Sequence, residues 1–256
     1  MADSLFDIEG RLALVTGSSR GLGHALAKGL AERGARVVLH GRDADKLAEV
    51  ARVMQAVTSG EIGYVAFDVT DAAAVKAGLD EVVAAHGLPD ILVNNAGLQR
   101  RAPLAEFEAA DWDAVIATNL SSAFYMASTL ARRMSERGSG KIVNIGSVQS
   151  KLARETIAPY AASKGGVAML TCGMAADLAR YGIQVNCISP GYFQTDMNTQ
   201  LWQDDEFNAW IEKRTPAARW GRIEELVGTL VYLCSDASSF VSGQNIFVDG
   251  GMTSVV

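Results

Sequence analysis

Apolar positions recur along the chain in two alternating rhythms. Short runs rich in branched aliphatics, at 11–16, 36–40, 62–67, 90–93, 141–145, 183–188 and 245–248, predict strands. Between them lie longer stretches in which apolar side chains return every three or four residues, predicting helices at 21–33, 43–59, 71–86, 111–137 and 158–180. Several strand runs, such as Val37-Val38-Leu39 and Ile91-Leu92-Val93, are apolar without a break. A strand covered on both faces of a parallel sheet needs that pattern. Thr70-Asp71 and Asp111 provide helix starts, and Gly34, Gly87, Gly138 and Gly182 provide stops. Two later helices, about 199–213 and 222–235, precede the last strand. No Pro- or Ser-rich linker, internal repeat or low-complexity tract divides the series. With right-handed crossovers, the prediction is α/β: one domain over 1–256, a doubly wound parallel sheet of about seven strands with helices on both faces. The stretch 192–215, which carries Tyr192, Trp202, Phe207 and Trp210, is the expected lid over a site.

Composition narrows the partners. A net charge of -6 over 256 residues leaves no basic footprint for nucleic acid, so a phosphate ligand needs a local positive site. Residues 1–10 carry acids and lack the basic-then-apolar order of a secretory signal. No apolar run approaches the ~18 residues of a membrane span. Cys172, Cys187 and Cys234 are widely spaced on apolar segments, which predicts reduced, packed thiols and a cytoplasmic location. His24, His40 and His86 offer no metal-ligand spacing, and no metal is expected.

The first strand runs into Thr16-Gly17-Ser18-Ser19-Arg20-Gly21-Leu22-Gly23 and then a helix. Glycines there let the backbone approach a pyrophosphate seated on the helix's positive end. Gly17, Ser19, Arg20, Gly21, Leu22 and Gly23 are therefore candidate dinucleotide ligands, in the spacing Gly-x3-Gly-x-Gly. The second strand ends in His40-Gly41-Arg42, with no acid until Asp43. An acid there would bind ribose hydroxyls and repel a 2′-phosphate. Arg20 and Arg42 suit that phosphate instead, so NADP(H) is predicted. Asp68-Val69 follows the third strand, where a carboxylate can accept from the adenine amino group. Asn94-Asn95-Ala96-Gly97 follows the fourth, where small residues allow close approach to a ribose.

Ser147 lies just beyond the fifth strand, and Tyr160 and Lys164 share one face of the next helix. Hydride transfer at a carbinol needs a base for the hydroxyl proton, and a phenol of pKa ~10 is too weak near neutrality. A neighbouring ammonium and a cationic nicotinamide would lower that value. Ser147 can hydrogen-bond the reacting oxygen, and Lys164 can also hold the nicotinamide ribose. Serine hydrolysis is excluded, because Ile145-Gly146-Ser147-Val148 has no nucleophile elbow.

Taken in order, Thr16-Gly17-x3-Gly21-x-Gly23, Asn94-Asn95-Ala96-Gly97, Asn119, Ser147, Tyr160-x3-Lys164 and Pro190-Gly191 with Thr195 resemble the short-chain dehydrogenase/reductase family over the whole chain. The resemblance implies a Rossmann fold and a catalytic tetrad of Asn119, Ser147, Tyr160 and Lys164, with Asn119 holding a water that links Lys164 to solvent. It also implies Ile188, Pro190, Gly191 and Thr195 around the nicotinamide carboxamide. The last strand and Asp249-Gly250-Gly251 would lie at a subunit interface of a homotetramer.

Less generic stretches are Gly97-Leu98-Gln99-Arg100-Arg101, Ala158-Pro159-Tyr160, Gly191-Tyr192-Phe193 and 214–221. They are similar to members of that family that interconvert 5-keto-D-gluconate and D-gluconate with NADP(H). The segment 38–43 is similar too, with His40 where Asn is more usual. A sugar acid then implies a carboxylate ligand, Arg101, with Arg100 and Arg154 as rivals. Gln149, Ser150 and Tyr192 would meet hydroxyls beside Ser147 and Tyr160. The alternatives are a reductase of β-ketoacyl thioesters on acyl carrier protein and another sugar or polyol dehydrogenase. A non-enzymatic NADP-binding regulator would not need the full tetrad.

Overall fold

The computed structural model describes residues 4–194 and 202–255. Seven strands, β1 (Leu12–Val15), β2 (Arg36–Gly41), β3 (Ile62–Ala66), β4 (Ile91–Asn94), β5 (Gly140–Ile145), β6 (Ile183–Pro190) and β7 (Asn245–Val248), form one sheet. Its order is β3-β2-β1-β4-β5-β6-β7 and every adjacent pair is parallel. The order reverses between β1 and β4, which opens a crevice at the carboxyl ends of these strands.

The unbroken apolar runs have the expected cause. Ala13, Val15, Val37, Leu39, Ile91 and Val93 pack on one face against Leu26, Leu30, Leu226 and Leu230. Leu12, Leu14, Val38, Leu92 and Ile142 pack on the other against Leu79, Met126 and Leu130. Successive residues point to opposite faces, so both members of each pair must be apolar. Each fully buried Val, Leu, Ile or Met among them contributes about 1.5–3 kcal/mol.

The helices are α1 (Gly21–Ala31), α2 (Ala44–Gln55), α3 (Ala72–His86), α4 (Ala109–Ile116), α5 (Ser122–Arg137), α6 (Ala158–Leu178), α7 (Asp205–Arg214) and α8 (Glu224–Cys234). Asp43 caps α2 by accepting from the Lys46 amide, and Asp71 caps α3 by accepting from Ala73 and Ala74. Gly138 (φ 77°) and Gly182 (φ 73°) end α5 and the turn after α6 in the left-handed region, where a Cβ is costly.

Three expectations need adjusting. The helix expected over 111–137 begins at Ala109 and is broken by a π turn at Ala117–Ser121, which separates α4 from α5. That wider turn carries Asn119. The helix expected over 199–213 is described only from Asp205, because 195–201 lie outside the described residues. Cys172 is exposed rather than packed; Cys187 and Cys234 are buried, and all three thiols are free. Among the described residues, no helix is long and apolar enough to cross a membrane.

Candidate active site

The glycine loop is shaped by close approach. Gly17 (φ 64°) and Gly21 (φ 57°) need the left-handed region, and a Cβ on Gly23 would meet the Gly17 carbonyl oxygen at 2.3 Å. Glycine at 23 thus lets α1 start directly against the loop. α2, α3 and α7 are each capped by an aspartate, whereas Arg20 at the start of α1 makes no side-chain cap. The first amides of α1 therefore meet no anionic side chain of their own, as an anion site requires.

Asn95 belongs to the scaffold of this loop. Its Nδ2 donates to the carbonyls of Thr16 (2.9 Å) and Gly17 (3.2 Å). The Thr16 hydroxyl accepts in turn from the amides of Asn95 (2.9 Å) and Ala96 (3.0 Å). Thr16 was not singled out as a site residue, although a Thr-Gly pair at a strand end was its signal. Asn94 points away, donating to Asn144 Oδ1 at 2.9 Å in the core.

Arg42 is exposed just past β2. Asp68, beyond β3, has its carboxyl held below the usual range, first by the Thr70 amide and hydroxyl, then by the charge of Arg42. Arg20, Arg42 and Asp68 thus gather at one end of three neighbouring strands, while Val69 is buried beneath. Gly97 faces Asn119, whose Oδ1 lies 3.3 Å from where a Cβ would stand. Pro190 ends β6, and Gly191 donates to the Val248 carbonyl at 2.9 Å; Thr195 lies outside the described residues.

At the reacting end, Ser147 is 8% exposed; its Oγ accepts from the Gln149 amide at 3.2 Å, and Ser147 is near enough to act on the Tyr160 phenol. Lys164 is 5% exposed and donates to the Ile145 carbonyl at 2.7 Å. Its Nζ lies 5.7 Å from the centre of the Tyr160 ring. Burial brings Lys164 down to about 8, against a smaller opposing effect of Cys187. Burial likewise pushes the Tyr160 phenol up, partly offset by Ser147. The lowered phenol expected from the ammonium is therefore not produced by the chain's own groups, because desolvation of the phenolate outweighs them.

Asn119 is fully engaged through its side chain. Oδ1 accepts from the Leu98 amide (2.8 Å), and Nδ2 donates to the Leu98 carbonyl (3.0 Å) and to Ser163 Oγ (3.0 Å). It joins the loop after β4 to α6.

Two arginines, Arg101 and Arg154, lie around Tyr192. Arg100 is drawn away to Asp111 at 3.2 Å. Arg101 has its pKa lowered by burial first and by the charge of Arg154 second, with Tyr192 opposing. Arg154 donates to the Tyr192 hydroxyl at 3.4 Å and lies 5.2 Å over the Phe207 ring. The phenol of Tyr192 in turn acts on Tyr160. Arg101 and Arg154 thus both bear on Tyr192. The wall behind is aromatic: Tyr192 meets Phe207, Trp210 and Trp220 edge-on at 5.8–6.0 Å. Two buried polar atoms here have no partner among the described residues, Gln149 Oε1 and Trp202 Nε1. The described part of 192–215 thus forms a packed wall of the site.

The chain matches a family model described as enoyl-(acyl carrier protein) reductase over residues 17–253. It is 53% identical to a gluconate 5-dehydrogenase of Gluconobacter oxydans (strain 621H), covering 97% of both chains. It is 47% identical to a 5-keto-D-gluconate 5-reductase of Escherichia coli (strain K12), covering 98% of both. A solved gluconate 5-dehydrogenase from Burkholderia cenocepacia J2315, in complex with NADP and tartrate, superposes with a TM-score of 0.97 at 54% identity, covering 100% of each chain.

Proposed function

The chain belongs to the short-chain dehydrogenase/reductase family, and from that premise we propose that it interconverts 5-keto-D-gluconate and D-gluconate with NADP(H). The observation that carries the substrate class is the pair Arg101 and Arg154 around Tyr192, whose phenol in turn acts on Tyr160. Two guanidiniums around one tyrosine offer a carboxylate forked donors that match its geometry. Gln149 Oε1 and Trp202 Nε1, without a partner among the described residues, offer an acceptor and a donor to sugar hydroxyls. The Burkholderia protein was solved in complex with NADP and tartrate, a hydroxylated dicarboxylate.

The residues present fit a dinucleotide: the Gly23 contact leaves no room for a side chain, and the start of α1 is uncapped. Ser19, Arg20, Gly21, Leu22 and Gly23 would hold its pyrophosphate, Arg42 with Arg20 its 2′-phosphate, and Asp68-Val69 its adenine. Ala96, Gly97, Pro190, Gly191 and Lys164 would line the nicotinamide half, and Thr195 is assigned to the same end. Bound there, the dinucleotide supplies or accepts the hydride. Tyr160 donates its phenolic proton to the carbonyl oxygen in reduction and takes it back in oxidation. Ser147 donates a hydrogen bond to the same oxygen, and Lys164 orients the ribose while its charge favours the phenolate. Since the Asn119 side chain is committed to Leu98 and Ser163, we assign the relay water to its backbone carbonyl within the π turn.

A homotetramer in the cytoplasm belongs to the same reading. Exposed Phe124, Met169 and Phe240 supply apolar surface for self-association. The test of function is NADPH oxidation with 5-keto-D-gluconate, 2-keto-D-gluconate and a β-ketoacyl thioester. The highest kcat/KM is expected for 5-keto-D-gluconate; preference for the thioester would overturn the assignment.

A further inference from the structure

His40 has a job that no motif assigns to it. It sits in β2, 2% exposed, between the glycine loop and the end of β3. The Gly17 amide donates to its Nδ1 at 3.3 Å, and its Nε2 lies 3.2 Å from the Phe67 carbonyl. An amide donating to Nδ1 requires a lone pair there, so the proton is on Nε2 and points at Phe67. The ring also packs on Phe67, with centroids 4.2 Å apart. Its backbone is tied to the same loop: the Ser18 amide donates to the His40 carbonyl at 2.9 Å, and the His40 amide to Ser18 Oγ at 2.9 Å.

We propose that His40 is a positioning residue of the dinucleotide site, a strut that fixes the distance between the glycine loop at Gly17 and the strand end that carries Asp68 and Val69. Its two ring nitrogens use one acceptor and one donor, so a neutral imidazole spans the gap that a pyrophosphate and an adenine must bridge together. Burial holds its pKa at about 4, which keeps it neutral in ordinary buffers. Without the strut the two halves of the site are positioned independently, and the ligand must supply the ordering on binding. The proposal rests on the dinucleotide reading above, but not on the identity of the carbonyl substrate.

The test compares the wild type with His40→Phe and His40→Gln by NADPH fluorescence titration, steady-state kinetics and thermal melting. Phenylalanine keeps the ring packing and loses both hydrogen bonds, while glutamine keeps one acceptor and one donor. His40→Phe should raise the NADPH Kd about tenfold, the loss expected from two modest hydrogen bonds. Its kcat at saturating NADPH should stay within about twofold of wild type, and His40→Gln should recover most of the affinity. A lower Tm with unchanged Kd would reduce His40 to a structural residue and overturn the proposal. If His40→Phe does not fold, a His40→Gln Kd equal to wild type supports the strut, and a Kd raised tenfold or more overturns it. Wild-type protein that binds no NADPH would instead sink the dinucleotide reading.

Discussion

The ammonium of Lys164 lies 5.7 Å from the centre of the Tyr160 ring and donates a hydrogen bond to the Ile145 carbonyl at 2.7 Å. Burial opposes charge on both groups, bringing Lys164 to about 8 and pushing Tyr160 up. Lys164 therefore loses its charge as pH rises through about 8, and the phenolate loses its nearest cation. Ketone reduction should fall on the alkaline side with an apparent pKa near 8 in a kcat–pH profile. Lys164→Arg, whose guanidinium does not titrate there, should lack that limb. A wild-type profile flat to pH 10 would contradict the assignment.

Arg101 and Arg154 should act on the acid and not on the ketone. Each loss removes a charge-assisted hydrogen bond worth about 1.5–3 kcal/mol, so Arg101→Ala or Arg154→Ala should raise KM for 5-keto-D-gluconate about ten- to a hundredfold. KM for a neutral ketone should barely move. Equal effects on both substrates would remove the carboxylate role.

Arg42 carries the choice of dinucleotide. Arg42→Ala should lower kcat/KM with NADPH by about tenfold or more while leaving NADH nearly unchanged. A wild type that already prefers NADH would refute the reading of the β2 end.

His40 should also make the fold acid-sensitive. Its folded pKa of about 4 lies below the free value of 6.5, so the unfolded chain binds the extra proton between these values. Its contribution is whole above pH 6.5 and is lost as pH falls towards 4, amounting to roughly 3 kcal/mol. Urea melts of wild type and His40→Gln should converge as pH falls through this window; parallel curves would contradict the buried neutral ring.

The sheet was legible because a strand buried on two faces carries apolar residues in unbroken succession, and Val37-Val38-Leu39 and Ile91-Leu92-Val93 show it plainly. The ligand-facing glycines were legible because their conformations exclude other residues. Side-chain allegiance was not. Asn95 holds the loop through Thr16 and Gly17, and Asn119 is spent on Leu98 and Ser163, neither of which a motif can tell from direct ligand contact. The π turn at Ala117–Ser121 keeps the helical period nearly intact and leaves no mark in the apolar pattern. Arg101 and Arg154 lie far apart in sequence, and only the chain's path brings them beside Tyr192.

Proton transfer by Tyr160 is the claim on which the reaction depends. Its most direct test is stopped-flow NADPH oxidation by Tyr160→Phe with saturating 5-keto-D-gluconate, beside an NADPH titration of the same variant. The account predicts an NADPH Kd within about threefold of wild type and a rate lowered by at least about 10²-fold, the usual weight of a general acid. Near-wild-type hydride transfer by the folded variant would contradict it.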